Sequence, residues 1–135
     1  MISTDLARLL AASGLRWKPA TGDVFRIDGD DFDDELFTLS DMTIEAHEFD
    51  SGTVLGFNGT TEWALDSVSL DSALWMPRED QLRELLGSTF RSLTRVDGVF
   101  RVEANIGGEL ERFDASDPAE AYGTALLALV TRASR

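Results

Sequence analysis

The sequence contains no cysteine, and this absence excludes several kinds of chemistry at once. Disulfide bonds, thiol catalysis and cysteine-ligated zinc are all ruled out. His47 is the only histidine, so a multi-histidine metal site or a metalloprotease motif cannot be assembled. We therefore predict neither a metal site nor any other cofactor.

Basic side chains are also scarce. The chain has 12 lysines and arginines against 25 aspartates and glutamates, for a formal net charge of -13. Such a field repels phosphate backbones and anionic lipids, so we predict no direct binding to nucleic acid or membranes. The simpler explanation of the acidity is solubility, and the alternative is a dedicated basic partner.

Long apolar runs are missing as well. No stretch approaches the roughly 18 apolar residues of a membrane span. The first segment, "MISTDLARLL", carries Asp5 and Arg8 where a signal peptide would be apolar. These features predict a cytoplasmic protein.

What the sequence does contain is the material of a folded core. Apolar residues make up 43% of the 135 residues, and eight phenylalanines and three tryptophans are spread along the chain. A chain of this length suits one domain of common size. We predict a single domain over residues 1–135.

Three segments have the pattern of helices. Residues 4–12 follow a capping residue, Ser3 or Thr4, and end before Gly14. The segment "PREDQLRELLG" begins with a proline and ends with Gly87, and its leucines recur at helical spacing. The third segment, "SDPAEAYGTALLALVTRAS", is predicted to form the last helix.

The start of that last helix carries three distinct signals. Asp117 stands at the cap, Pro118 at the first position and Glu120 where a capping box needs an acid. Tyr122 and three apolar residues after it are predicted to face a sheet. The three apolar residues are Leu126, Leu129 and Val130.

The remaining segments favour strands joined by tight turns. "TIEAHEF" and "TVLGF" are separated by "DSG", and "NG" at Asn58 predicts another turn. "TTEWALDSVSL" has partial alternation typical of a strand. In the last third, "DG" and "GG" divide three antiparallel strands. The sequence therefore predicts an α+β fold, with a mainly antiparallel sheet and about three helices packed on it.

The most acidic run, Asp28 to Glu35, raises the question of a calcium site. Starting at Asp28, an EF-hand loop would need a polar ligand at the fifth position and glycine at the sixth. Phe32 and Asp33 stand there instead. We predict a solvated loop rather than a metal site.

No motif for catalysis accompanies the other polar residues. His47 lies in a predicted strand between Glu45 and Glu48, with no nucleophile elbow nearby in sequence. The sequence contains neither the phosphate-loop pattern G-x-x-x-x-G-K-[ST] nor a G-x-G-x-x-G pattern between a strand and a helix. We assign no catalytic residue, and an enzyme that combines an acid with His47 is the third-ranked hypothesis.

The stretch "FNGTTEWALDSVSLDSALWMPREDQLRELLG" contains the candidate binding residues, Trp63, Trp75 and Met76. Tryptophan and methionine are enriched at interface cores, which favours an exposed docking patch. The alternative is that these side chains fill the space between a sheet and a helix, each indole N–H finding one partner. Both interpretations stay open at this point.

Several segments, "LARLLAASGLRWKPATGDVFRI", "LSDMTIEAHEF", "FNGTTEWALDSV" and "ALWMPREDQLRELLG", together resemble a group of small acidic proteins, mostly from actinobacteria. Many of them are labelled pilus assembly proteins, and their biochemical role is undefined. The last third also resembles HicB-like antitoxin domains, where a strand leads into a helix. Neither resemblance carries a functional residue over to this chain.

Our leading hypothesis from the sequence is a non-catalytic cytoplasmic binding or regulatory domain with a protein partner, associated with pilus assembly by resemblance alone. The alternative is an acidic inhibitor or antitoxin-like protein that neutralises a basic partner. A homodimer is compatible with both hypotheses.

Overall fold

The computed structural model describes residues 1–27, 35–39, 44–49, 52–57, 67–69 and 72–133. Contacts between Cα atoms divide the chain into two compact units. We call Met1–Arg16 with Pro77–Arg135 the terminal unit, and Trp17–Met76 the central unit. The single domain expected from chain length stays a prediction.

The helices and strands follow one another in the order α1 (Thr4–Ala12), β1 (Val24–Ile27), β2 (Leu36–Thr38), β3 (Ile44–Phe49), β4 (Gly52–Phe57), β5 (Ser67–Ser69), β6 (Ala73–Trp75), α2 (Glu79–Leu86), a 3-10 turn (Gly87–Thr89), β7 (Phe90–Val96), β8 (Val99–Ile106), β9 (Glu109–Ala115) and α3 (Pro118–Ala133). Every strand pair that the structure describes is antiparallel. The α+β class with antiparallel pairing and three helices is confirmed. None of the described helices combines the length and apolar character of a bilayer span.

In the terminal unit, β7, β8 and β9 form one sheet in chain order. The two connections are two-residue turns, Asp97-Gly98 with φ of 48° and 84°, and Gly107-Gly108 with φ of 63° and 91°. Positive φ at both central positions is the signature of the type I′ turn, which matches the twist of a hairpin. The three strands and both turns that the sequence predicts are confirmed.

One face of this sheet supplies the core of the terminal unit. Along β8 every second residue is buried, namely Val102, Ala104 and Ile106. Helix α3 lies against β8 and β9 and packs with α1 and α2 on its other sides. Alternate burial along β8 and helical spacing on α3 bring two apolar surfaces together. The residues of α3 buried in this way include Tyr122 and Leu126, as the sequence predicts, whereas Leu129 and Val130 are only half-buried.

The opposite face of the sheet carries pairs of opposite charge. The Arg101 guanidinium donates to both carboxylate oxygens of Asp114, at 2.8 and 3.0 Å. Arg112 lies 3.3 Å from Glu103 on the neighbouring strand. The hydrogen bond from Arg101 lowers the pKa of the Asp114 carboxyl. Cross-strand pairs of this kind stabilise a solvated sheet face modestly.

The beginnings of α1 and α3 lie against each other. Asp117 caps α3, because its Oδ1 accepts from the N–H of Ala119 at 2.8 Å. Glu120 does not behave as the capping-box pattern predicts. Its carboxylate accepts from the N–H of Ser3 at 2.8 Å and from the Ser3 hydroxyl at 3.0 Å, so it reaches across to α1. The Ser3 hydroxyl in turn caps α1 by accepting from the N–H of Leu6.

This contact leads to a first prediction. Replacing Glu120 by alanine removes the acceptor of two charge-assisted hydrogen bonds at the start of α1, and should lower the free energy of unfolding by about 1 kcal/mol. Glu120→Gln keeps an uncharged acceptor and should cost less. Urea denaturation followed by circular dichroism measures both, with Glu84→Ala as an exposed helical control. Equal stability of Glu120→Ala and the control would show that the contact contributes nothing.

The central unit contains two three-stranded antiparallel sheets, with strand orders β2-β1-β6 and β3-β4-β5. The hairpin predicted from "TIEAHEF" and "TVLGF" is confirmed, since Ile44 pairs with Phe57 and Phe49 with Gly52. The described strands thus form three small sheets, where the sequence suggested one. Three predictions lie wholly or mostly outside the described residues: the loop from Asp28 to Glu35, the turn at Asn58, and the strand in "TTEWALDSVSL", of which only Ser67–Ser69 is described, as β5.

Candidate functional site

Trp75 is the predicted binding residue that the structure places most clearly. It ends β6, which pairs with β1 so that Trp75 lies opposite Phe25. Its indole ring stacks on that of Trp17, with 6.4 Å between ring centroids and 11° between planes. Trp75 is half-buried, so part of its side chain faces solvent.

The two indoles belong to a larger aromatic cluster in the central unit, formed by Trp17, Phe25, Phe37 and Trp75. Phe25 lies 5.4 Å from Trp17 and 5.6 Å from Phe37, centroid to centroid. Offset and tilted rings at these distances contribute beyond simple area burial. Phe25 is fully buried, while the other three members are only partly so. The buried ring of Phe25 therefore packs against rings that are partly accessible to solvent.

Met76 has a different environment. Only 1% of its surface is exposed, and its backbone N–H donates to the carbonyl of Val24 at 2.8 Å. Met76 is therefore a core residue and offers no surface to a partner, although it neighbours Trp75 in sequence. Alternation along an extended segment sends adjacent side chains to opposite sides, which explains the separation. Trp63, the third predicted residue, lies outside the described part of the chain.

Asp23 is the polar residue that the sequence analysis missed. It is 3% exposed, and its Oδ2 accepts from the indole N–H of Trp17 at 2.8 Å and from the N–H of Ala20 at 3.0 Å. The signal was present in "ATGD", because aspartate often accepts from nearby backbone N–H groups in a turn. Asp23 thus fixes the orientation of Trp17, and through it the stack on Trp75.

The indole N–H of Trp75 is buried and has no acceptor among the described residues. A buried donor of this kind costs free energy until an acceptor is supplied. The two stacked tryptophans therefore differ. The indole N–H of Trp17 donates to the Asp23 carboxylate, whereas that of Trp75 has no acceptor among the described residues.

The two units differ greatly in charge. The central unit, Trp17–Met76, holds 14 of the 25 acidic residues of the chain but only two of its 12 lysines and arginines. The terminal unit holds the other 11 acids and ten arginines, and is nearly neutral. Almost all of the net charge of -13 therefore belongs to the central unit.

Within the described ranges, no group of three or more histidine, cysteine or acidic side chains is arranged to hold a metal ion. His47 lies in β3, where it pairs with Val54.

The carboxyl pKa shifts in the terminal unit are downward, and hydrogen bonds from arginines are the largest cause for Glu111 and Asp114. A carboxyl that serves as a general acid at neutral pH needs the opposite shift.

Comparison with protein-family models, with curated proteins and with solved structures gives no match for this chain.

Proposed function

We propose that this chain is a non-catalytic, cytoplasmic binding domain that recognises a positively charged protein through its central unit. The observation that carries the proposal is the segregation of charge. Solubility requires net charge, but it does not require that 14 acids and two bases share one unit while the other unit is balanced. A concentrated field attracts an oppositely charged partner and accelerates its association.

The aromatic cluster of the central unit provides a surface to which the charged partner can bind. Arginine and lysine side chains pack on the faces of tryptophan rings, and the half-exposed Trp75 and Trp17 both belong to the acidic unit. Charge attracts the partner in this proposal, and the tryptophans fix its position.

A second candidate function uses the same contact with a different consequence. An inhibitor or antitoxin-like protein would neutralise its basic partner by covering the positive surface with which that partner acts. The charge segregation favours both candidates equally. They separate once a partner is known, because only the inhibitor abolishes its activity.

The proposal predicts a loss of affinity that depends on where charge is removed. The probe is a synthetic arginine–serine repeat peptide, titrated into the full chain at physiological salt. One variant changes five central-unit acids to asparagine: Asp28, Asp30, Asp31, Asp33 and Asp34. A charge-matched control changes five exposed acids of the terminal unit to the corresponding amides: Asp5, Glu79, Glu84, Asp97 and Glu109.

Both variants have the same net charge, so a difference between them reports location alone. The central-unit variant should bind about tenfold more weakly than the wild type, and the control within about twofold. Equal losses in the two variants would mean that only total charge matters, and the proposal would then fail.

A further inference from the structure

Strand β7 lies at one edge of its sheet. In the sheet order β7-β8-β9, β7 pairs with β8 on one side, and no described strand of the terminal unit pairs with its other side. The strand is seven residues long, and its side chains are exposed or half-buried. An edge strand of this kind presents a row of N–H and C=O groups that can pair with another extended chain.

Three arginines lie on β7 or beside it, and each has a partner other than a carboxylate. Arg83 of α2 lies over the ring of Phe90, 5.1 Å from its centroid, and Arg95 lies over the ring of Phe100 at 5.4 Å. Arg91 donates to the backbone carbonyls of Ser88 and Phe90. All three are exposed, and no described carboxylate forms an ion pair with them.

The other edge of the same sheet is different. Strand β9 carries Glu109, Glu111 and Asp114 with a single arginine, whereas β7 carries two arginines and no acid. Arginines near β9 are paired: Arg101 with Asp114, and Arg132 with Glu111. The uncompensated positive charge of this sheet is therefore concentrated along β7.

A groove of about 500 Å³ lies at the beginning of β7. It is lined by exposed residues of α2, by the first residue of the 3-10 turn and by the first residue of β7, namely Asp80, Arg83, Glu84, Gly87 and Phe90. Its aromatic wall suits an apolar side chain, and its two carboxylates disfavour an acidic one. A bound segment would thus be acidic along the strand and apolar at this end.

We propose that the β7 edge binds an extended acidic segment of another protein by strand addition. The backbone of the segment pairs with the outer edge of β7, and its carboxylates face Arg91 and Arg95. In this mode of recognition the main chain provides affinity and the side chains provide specificity. The inference is independent of the proposed function, because it concerns the other unit and the opposite charge.

Charge on an edge strand also prevents unwanted pairing, and here it selects among partners. The β7 strand of a second copy would bring the same arginines, and like charges facing each other are unfavourable. An acidic strand meets no such barrier. Arginines held over aromatic rings are already ordered, so less side-chain freedom is lost when they bind a carboxylate.

The test uses the full 135-residue chain and three synthetic peptides with blocked ends. One peptide alternates glutamate and valine, the second alternates lysine and valine, and the third is the glutamate peptide with a central proline. Amide hydrogen exchange should slow in Phe90–Val96 with the glutamate peptide and stay unchanged in Glu109–Ala115. The lysine peptide should protect neither strand, and the proline peptide should bind more weakly because it cannot complete the ladder.

Two variants with equal net charge distinguish this edge from general attraction. Arg91→Gln with Arg95→Gln should weaken binding of the glutamate peptide about fivefold, and Arg16→Gln with Arg112→Gln should leave it within about twofold. Protection in β9, protection in neither strand, or equal effects of the two variants would overturn the inference. So would β7 protection that rises with protein concentration in the absence of peptide, since the occupant would then be a second copy.

Discussion

Replacing Gly123 by valine should lower the free energy of unfolding by about 3 kcal/mol. Gly123 lies where α3 crosses α1, and a Cβ atom there would stand 2.6 Å from Leu6 Cδ2 and 3.2 Å from Ile2 Cγ2. Both neighbours are buried, so neither can turn into solvent to make room. Valine adds two further methyl groups to this contact, and the helices must separate or distort.

Two controls isolate the steric cause. Thr124→Val introduces the same side chain one residue further along α3, at an exposed position, and should change stability by less than about 0.5 kcal/mol. Gly123→Ala should destabilise the wild type. In a Leu6→Ala background the same change should be stabilising by up to about 1 kcal/mol, because the 2.6 Å contact is removed, only the 3.2 Å contact with Ile2 remains, and alanine favours the helix. Urea denaturation measures the wild type and each of these variants. A destabilised Thr124→Val, or no reversal in the Leu6→Ala background, would exclude the close approach as the cause.

Removal of the Asp23 carboxylate should have the second large effect. Asp23→Ala leaves the indole N–H of Trp17 and the N–H of Ala20 without their acceptor. Both hydrogen bonds are partly buried, and a buried donor without a partner costs about 1–3 kcal/mol, so we expect a total loss of about 2 kcal/mol. Asp23→Asn keeps an acceptor oxygen and should lose about half as much.

Glu35→Ala serves as the control, because Glu35 is an exposed acid of the same unit. It should change the unfolding free energy by less than about 0.5 kcal/mol. Far-ultraviolet circular dichroism during urea denaturation gives the stability without depending on tryptophan fluorescence. If Asp23→Ala and Glu35→Ala had the same stability, the carboxylate would not be the anchor of Trp17.

The parts of the fold that sequence predicts well are those fixed by neighbouring residues. Helix α1 begins and ends where the capping residue Ser3 and the positive φ of Gly14 dictate. The turns at Asp97-Gly98 and Gly107-Gly108 need residues that tolerate positive φ, and the sequence supplies them. Such local requirements can be read directly from residue type.

What the sequence did not predict depends on distant contacts. Strand β1 pairs with β6, whose residues come more than 40 positions later in the chain, and no local pattern selects that partner. The burial of Met76 and the reach of Glu120 to Ser3 follow from the same kind of contact. The charge of each residue is given by the sequence, but the segregation of charge depends on the unit boundaries at Trp17 and Met76. Contacts between distant residues define those boundaries.

The most direct test of the central claim is the salt dependence of binding to the arginine–serine peptide, measured from about 0.05 to 0.5 M salt, over which screening strengthens markedly. If the acidic central unit carries the recognition, the logarithm of Kd should rise steeply with the logarithm of salt concentration. That slope should become shallower in the central-unit asparagine variant and stay unchanged in the charge-matched control. An affinity that does not respond to salt, or the same slope in both variants, would contradict the account.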